Sequence, residues 1–145
     1  MTRSYEFVLH SAGSPQRVWE LLADGAGWSQ WAGPMIVRSW WEREGEPAPG
    51  GVGAIRALGL PRLGSREQIV AFDPPTHLAY TILSGAPVRG YRADVDVEPD
   101  GGGTRIRWRG TYTPTATWAA PLIHLVLTRA VRSIGRHLAR AAARG

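Results

Sequence analysis

Few side chains in this sequence can carry chemistry. Four histidines, His10, His77, His124 and His137, are scattered without the short spacings of a metal-binding set. Cysteine is absent, which excludes thiolate nucleophiles, thiolate metal sites and disulfides. All 17 basic residues are arginine. With no lysine there is no Schiff base, no lysine general base and no phosphate-loop lysine. No G-x-S-x-G, Walker or dinucleotide fingerprint occurs. Asp94-Val-Asp96 is spaced like a carboxylate pair, but strand alternation puts it among arginines on an outer face, where salt pairing is expected. What remains for a site is Arg56 and the tyrosines, with His124 and Glu67 as the available acid–base groups. No cofactor and no metal is expected.

These residues need elements to hold them. Ser4–His10 alternates, with Tyr5, Phe7 and Leu9 on one face, and predicts a strand. Ser14-Pro15 predicts a helix start, with Ser14 as cap and Val18, Trp19, Leu21 and Leu22 as the apolar face. Trp28–Trp31 predicts a second short turn of helix. Ile36–Glu42, Val52–Leu58, Arg66–Asp73, His77–Leu83, Tyr91–Glu98 and Thr104–Thr113 have strand length and are separated by turn residues. Tyr91, Ala93, Val95 and Val97 share one face; Arg92, Asp94, Asp96 and Glu98 share the other. Pairing that strand with the next across Asp100–Gly103 sets acids opposite Arg105, Arg107 and Arg109. Trp118–Ala143 predicts a long helix, with Ile123, Leu127, Val131, Ile134 and Leu138 at spacings of three and four.

Composition agrees with one packed unit. The chain has 145 residues, 43% apolar and 20% charged, which is globular and not disordered. A single domain over residues 1–145 is expected. Met1–Phe7 has no signal-peptide character and no apolar run could span a bilayer, so the expected location is the cytoplasm. Charge is uneven. Residues 1–100 hold nine arginines and all 12 acids, whereas residues 101–145 hold eight arginines and no acid. Arg129, Arg132, Arg136 and Arg140 line the polar side of the last helix and predict weak contact with an anionic surface. No sequence-specific nucleic-acid motif accompanies them.

Ser14-Pro-Gln-Arg-Val-Trp-Glu-Leu-Leu-Ala-Asp24 followed by Trp28-Ser-Gln-Trp31 resembles the opening pattern of the START-like superfamily, also called SRPBCC or polyketide cyclase/dehydrase-type. Arg66-Glu-Gln-Ile-Val-Ala-Phe-Asp-Pro-Pro75 with Leu78-Ala-Tyr80 resembles its mid-sheet hairpin. The resemblance covers nearly the whole chain. It implies an α+β helix-grip fold: a curved antiparallel sheet of about seven strands around a long C-terminal helix, with two short helices after the first strand and an apolar cavity inside. It does not imply one function, because the superfamily includes lipid carriers, receptors and aromatase/cyclases.

The residues add their own expectations about such a cavity. Meander connections collect Gly59–Gly64, Ser84–Gly90 and Thr113–Trp118 at one end of the sheet. Leu60, Leu63, Pro87 and Val88 there are apolar residues on loops, which predicts a cavity mouth. The concave face is expected to carry Tyr80, Ile82, Tyr91, Val95, Trp108 and Tyr112, with Trp118, Leu122 and Val126 from the helix. Arg56 shares a face with Val52 and Ala54; turned inward it needs a carboxylate or a ligand anion. The expected function is binding of a hydrophobic small molecule, lipid-like or aromatic, by a monomer or homodimer. The alternatives are a polyketide aromatase/cyclase or dehydratase, and an interaction module using the cationic helix face.

Overall fold

The computed structural model describes residues 1–59 and 64–144. Seven antiparallel strands form one sheet in the order β1-β7-β6-β5-β4-β3-β2. In chain order these are β1 (Arg3–Ser11), β2 (Ser39–Arg43), β3 (Ile55–Leu58), β4 (Ser65–Asp73), β5 (His77–Ser84), β6 (Val88–Asp100) and β7 (Gly103–Pro114). Helix α1 (Pro15–Ala23) and a 3₁₀ turn (Gly25–Gln30) follow β1, and α2 (Ala120–Arg144) follows β7 after a second 3₁₀ turn (Thr117–Ala119). This is the expected α+β helix-grip arrangement.

Local chemistry sets the boundaries. Ser14 Oγ accepts a hydrogen bond from the Arg17 amide at 3.1 Å and Pro15 opens α1, as the capping signal predicts. β2 starts at Ser39, later than the Ile36 predicted. Ser39 Oγ donates to the Ala26 carbonyl at 2.7 Å and accepts from the Ser29 amide at 2.9 Å, which fixes the strand start to the 3₁₀ turn. β3 starts at Ile55 and not Val52. The glycine-rich stretch before it folds back on itself, with Val52 bridged to Glu46.

The β6–β7 register places Asp94 opposite Arg109, Asp96 opposite Arg107 and Glu98 opposite Arg105. The ion pairs formed are Asp94–Arg92 at 3.0 Å, Asp96–Arg109 at 3.4 Å and Glu98–Arg105 at 2.9 Å, while Arg107 reaches across to Glu6 at 2.8 Å. Asp94-Val-Asp96 therefore belongs to the outer charge lattice. Pairs as exposed as Glu98–Arg105 and Glu6–Arg107 add little stability singly.

Helix α2 docks unevenly. Its buried residues, Val131, Gly135, Leu138, Ala139, Ala141 and Ala142, all lie between its middle and its C-terminal end. A Cβ at Gly135 would come within 2.6 Å of Leu9 Cδ1, so glycine there lets α2 lie directly on β1. Ser11 Oγ donates to the Ala139 carbonyl at 2.6 Å and ties down the same end. The N-terminal half carries the larger, half-buried Ile123 and Leu127. The helix thus grips the sheet at one end and stands off at the other.

Candidate functional site

The space under the middle of α2, where the helix begins to lift from the sheet, is a cavity of about 260 Å³. Ile36, Leu58 and Ile82 wall it on the sheet side, and Leu127, Val131 and Ile134 on the helix side. Trp28 closes one side, and Met35, Gly59, Gly85 and Ala86 stand at its rim. Glu67, Tyr80 and Tyr91, with Ser65, supply polar atoms in a lining that is otherwise mostly apolar. A larger depression of about 470 Å³ lies on the outer face between Glu6, Arg92, Asp94 and Arg109. It lies among ion-paired side chains on the outside of the sheet.

Behind the polar region lies a buried charge pair. Arg56 is fully buried; its Nε donates to Glu67 Oε1 at 2.9 Å, and Nη2 lies 2.9 Å from the same oxygen. Register puts the two side by side on β3 and β4. The guanidinium is packed between aromatic faces, 3.9 Å from the Trp28 ring centroid and 4.6 Å from that of Tyr80. Among the described residues Nη1 and Nη2 find no aligned hydrogen-bond acceptor. Burial pushes the Glu67 carboxyl above the ordinary carboxylate range, against the opposing pull of Arg56. Glu67 is the acidic group of the cavity wall.

The tyrosines form a second layer. Tyr5 and Tyr91 hydroxyls share a short hydrogen bond, and the Tyr80 and Tyr91 ring centroids lie 5.9 Å apart. Tyr5 reaches Tyr91 because its ring lies flat over Gly110, its partner in the β1–β7 register; a Cβ there would run into the ring. Burial raises all three phenols, with Glu67 adding to the shift of Tyr5 and Tyr80, and Tyr80 and Tyr5 adding to that of Tyr91. They stay neutral, so each hydroxyl keeps its proton. Among the described residues no group of three or more histidines or carboxylates could hold a metal ion.

Residues 2–144 match the family described as polyketide cyclase / dehydrase and lipid transport. The chain belongs to that family. An uncharacterised protein of Mycobacterium tuberculosis is 28% identical over 134 residues, covering 86% of this chain and 77% of the relative. The fold is shared with Ara h 8.0201 (TM-score 0.80, 17% identity, 100% of both chains covered). It is shared too with the di-domain ARO/CYC StfQ of the steffimycin pathway (TM-score 0.77, 16% identity, 98% of this chain and 51% of that one). Norcoclaurine synthase from Thalictrum flavum, in complex with dopamine and hydroxybenzaldehyde, gives a TM-score of 0.74 at 15% identity over 97% of this chain and 86% of that one.

Against this family fold, the residues singled out from sequence fall in different places. Tyr80 and Tyr91 line the cavity, and Val88 packs half-buried against the core beside it. Arg56 turns inward and meets a carboxylate, Glu67, one layer behind the wall. Trp108 and Tyr112 are buried but belong to the packed core: Trp108 packs on Phe7, Trp28 and Tyr80, and the Tyr112 hydroxyl meets His124 Nδ1 at 2.6 Å. Trp118, Leu122 and Val126 do not face inward; they are 88%, 62% and 59% exposed. At about 100° per residue, positions 122 and 126 fall a quarter-turn away from the buried stripe of 123, 127, 131 and 134. Pro87 is exposed, and Leu60 and Leu63 lie outside the described residues.

Two contributors to the site were underrated from sequence. Trp28 reads as a packing residue, yet it forms both a cavity wall and a face of the Arg56 cage. Glu67 is legible in the sequence as an available acid–base group, but not as the partner of Arg56. The signal for it is Arg56 itself, since an inward arginine on one strand requires an acid on its neighbour.

Proposed function

We propose that this protein binds a compact hydrophobic small molecule in the cavity beneath α2, with a hydrogen-bonding group of the ligand directed at Glu67, Tyr80 and Tyr91. The observation behind this is the pairing of apolar walls with one polar region in a chamber of about 260 Å³. That volume is near the lower end of ligand pockets, which favours a one- or two-ring molecule over a long acyl chain. Native mass spectrometry after incubation with a metabolite extract tests the reading, using Val131→Trp to fill the chamber. The expected result is a bound compound on the wild type and none on the variant. A bound compound that persists on Val131→Trp, or an empty wild type, counts against it.

The raised carboxyl of Glu67 favours a second reading, an enzyme of the cyclase or dehydratase kind. Such a carboxylate in a dry wall is placed to take a proton from a carbon next to a ketone, with a neutral tyrosine donating to the resulting enolate oxygen. The two readings separate on the mass of the compound released. A carrier returns it unchanged. An enzyme returns it lighter by one water or rearranged, and Glu67→Gln then retains binding but not conversion.

A further inference from the structure

The outward face of α2 plays no part in the cavity. Trp118 is 88% exposed, and Leu122, Leu125 and Val126 are 62%, 46% and 59% exposed. At about 100° per residue, positions 122, 125 and 126 share one arc of the helix, and Arg129, Arg132, Arg136 and Arg140 continue that same arc toward the C-terminus. All four arginines are exposed. Among the described residues none of them pairs with a carboxylate. Residues 101–145 contain no acid that could serve.

An uncovered tryptophan and three aliphatic side chains in one row mark a contact surface. Three kinds of partner fit it unequally. A second copy of the same face would bring arginines against arginines. A nucleic acid would use the arginines and leave the apolar row in water. An anionic bilayer uses both: aliphatic side chains enter the acyl boundary, the indole sits at headgroup level, and the guanidinium groups meet lipid phosphates. We propose that the outward face of α2 docks the protein on an anionic membrane surface, Trp118, Leu122 and Val126 entering the interface and Arg129, Arg136 and Arg140 binding headgroups.

The docked end lies beside the cavity rim. The Thr115 amide donates to the Pro87 carbonyl at 2.9 Å, which ties the approach to α2 to the β5–β6 loop. Gly85 and Ala86 of that loop stand at the rim. Docking does not require the cavity to hold anything, so it stands or falls separately from the ligand reading.

The test is flotation of the intact protein with phosphatidylcholine vesicles, with and without phosphatidylserine. Two variants accompany the wild type: Trp118→Ser/Leu122→Ser/Val126→Ser, and Arg129→Gln/Arg136→Gln/Arg140→Gln. Every changed side chain is exposed, so both variants keep the wild-type melting temperature. The wild type is expected to float with phosphatidylserine vesicles and to release as salt rises. At about fivefold per arginine, the arginine variant loses about 100-fold in affinity, and the serine variant loses the interaction as well. Brominated lipid is expected to quench an emission component that Trp118→Phe lacks. Failure of the wild type to float at low salt overturns the proposal, as does flotation that survives either variant. Duplex DNA binding unaffected by the serine variant, in a protein that ignores vesicles, assigns the arginines to nucleic acid. Self-association abolished by the serine variant, again without flotation, assigns the face to a second copy.

Discussion

Replacing Arg56 by methionine tests the buried pair most directly. The substitution keeps an unbranched side chain between Trp28 and Tyr80 but removes the one cation bonded to Glu67 among the described residues. Losing one partner of a buried ion pair costs about 3–5 kcal/mol, because the other charge stays in a medium that cannot solvate it. At this chain length that is a fall of about 10 °C in melting temperature. The loss is pH-dependent in a definite direction. Glu67 already has its folded pKa raised above the unfolded value of 4.5 by burial. Removing Arg56 takes away the opposing pull and raises it further. A carboxyl shifted upward favours the folded state below its unfolded pKa and loses that advantage as pH rises through the folded one. Arg56→Met is therefore expected to lie close to wild type at about pH 5 and to fall away toward about pH 8. The double variant Arg56→Met/Glu67→Leu, with no charge left to bury, is expected to recover most of the loss at about pH 8 and to stay close to wild type at about pH 5. Urea unfolding followed by circular dichroism at the two pH values measures all of this. Equal losses at both, or a double variant no better than the single, would refute the view that Glu67 is held as a buried carboxylate by Arg56.

Gly110→Ala puts a methyl group into the ring of Tyr5 and is expected to cost about 1–3 kcal/mol by overpacking, with Tyr5→Val in the same chain restoring much of it; thermal melts of the two variants check this. His77 lies between Asp73 at 2.9 Å and Asp94 at 2.7 Å. Partial burial lowers its pKa, but the two carboxylates more than offset that, and the net shift is upward. Its contribution is thus complete below about pH 6.5 and is lost as pH rises through the folded value. The stability gap between wild type and His77→Gln should accordingly narrow from about pH 6 to about pH 8, and a constant gap across that range would rule the arrangement out.

Strand alternation and turn residues made most of the sheet legible in the sequence. Val95 and Val97 face in while Asp94 and Asp96 face out, and the glycine turn fixes which arginines they oppose. The exceptions have local causes. Val52 leaves its predicted strand because nearby glycines let the chain close on Glu46, an effect no alternation reports. The cavity was harder to read. Trp118, Leu122 and Val126 are apolar and sit at the expected end of the helix, but a quarter-turn decides between chamber and solvent. Periodicity identifies a buried stripe without saying where along it the helix lifts from the sheet. That lift depends on Gly135 and Ala139 approaching β1, and Ala142 approaching Gly13 just after it, so closely, which only three-dimensional packing reveals. Trp108 and Tyr112 show the same limit: inward residues are readable, while the division between filled core and open space is not.

The register of β1 bears on how the molecule assembles. Pairs between neighbours in the meander, such as His77 with Asp73 across one turn, close short loops. The β1–β7 ladder instead joins Arg3 to Tyr112 and Ser11 to Thr104. Of the strand pairings it spans by far the greatest length of chain and has the largest closure entropy to overcome. It is also the pairing that brings Tyr5 onto Gly110 and offers Phe7 and Leu9 to α2. The layer behind the chamber and the seat of its roof thus depend on the same long-range pairing, and a chain that lacks it holds a meander without an interior.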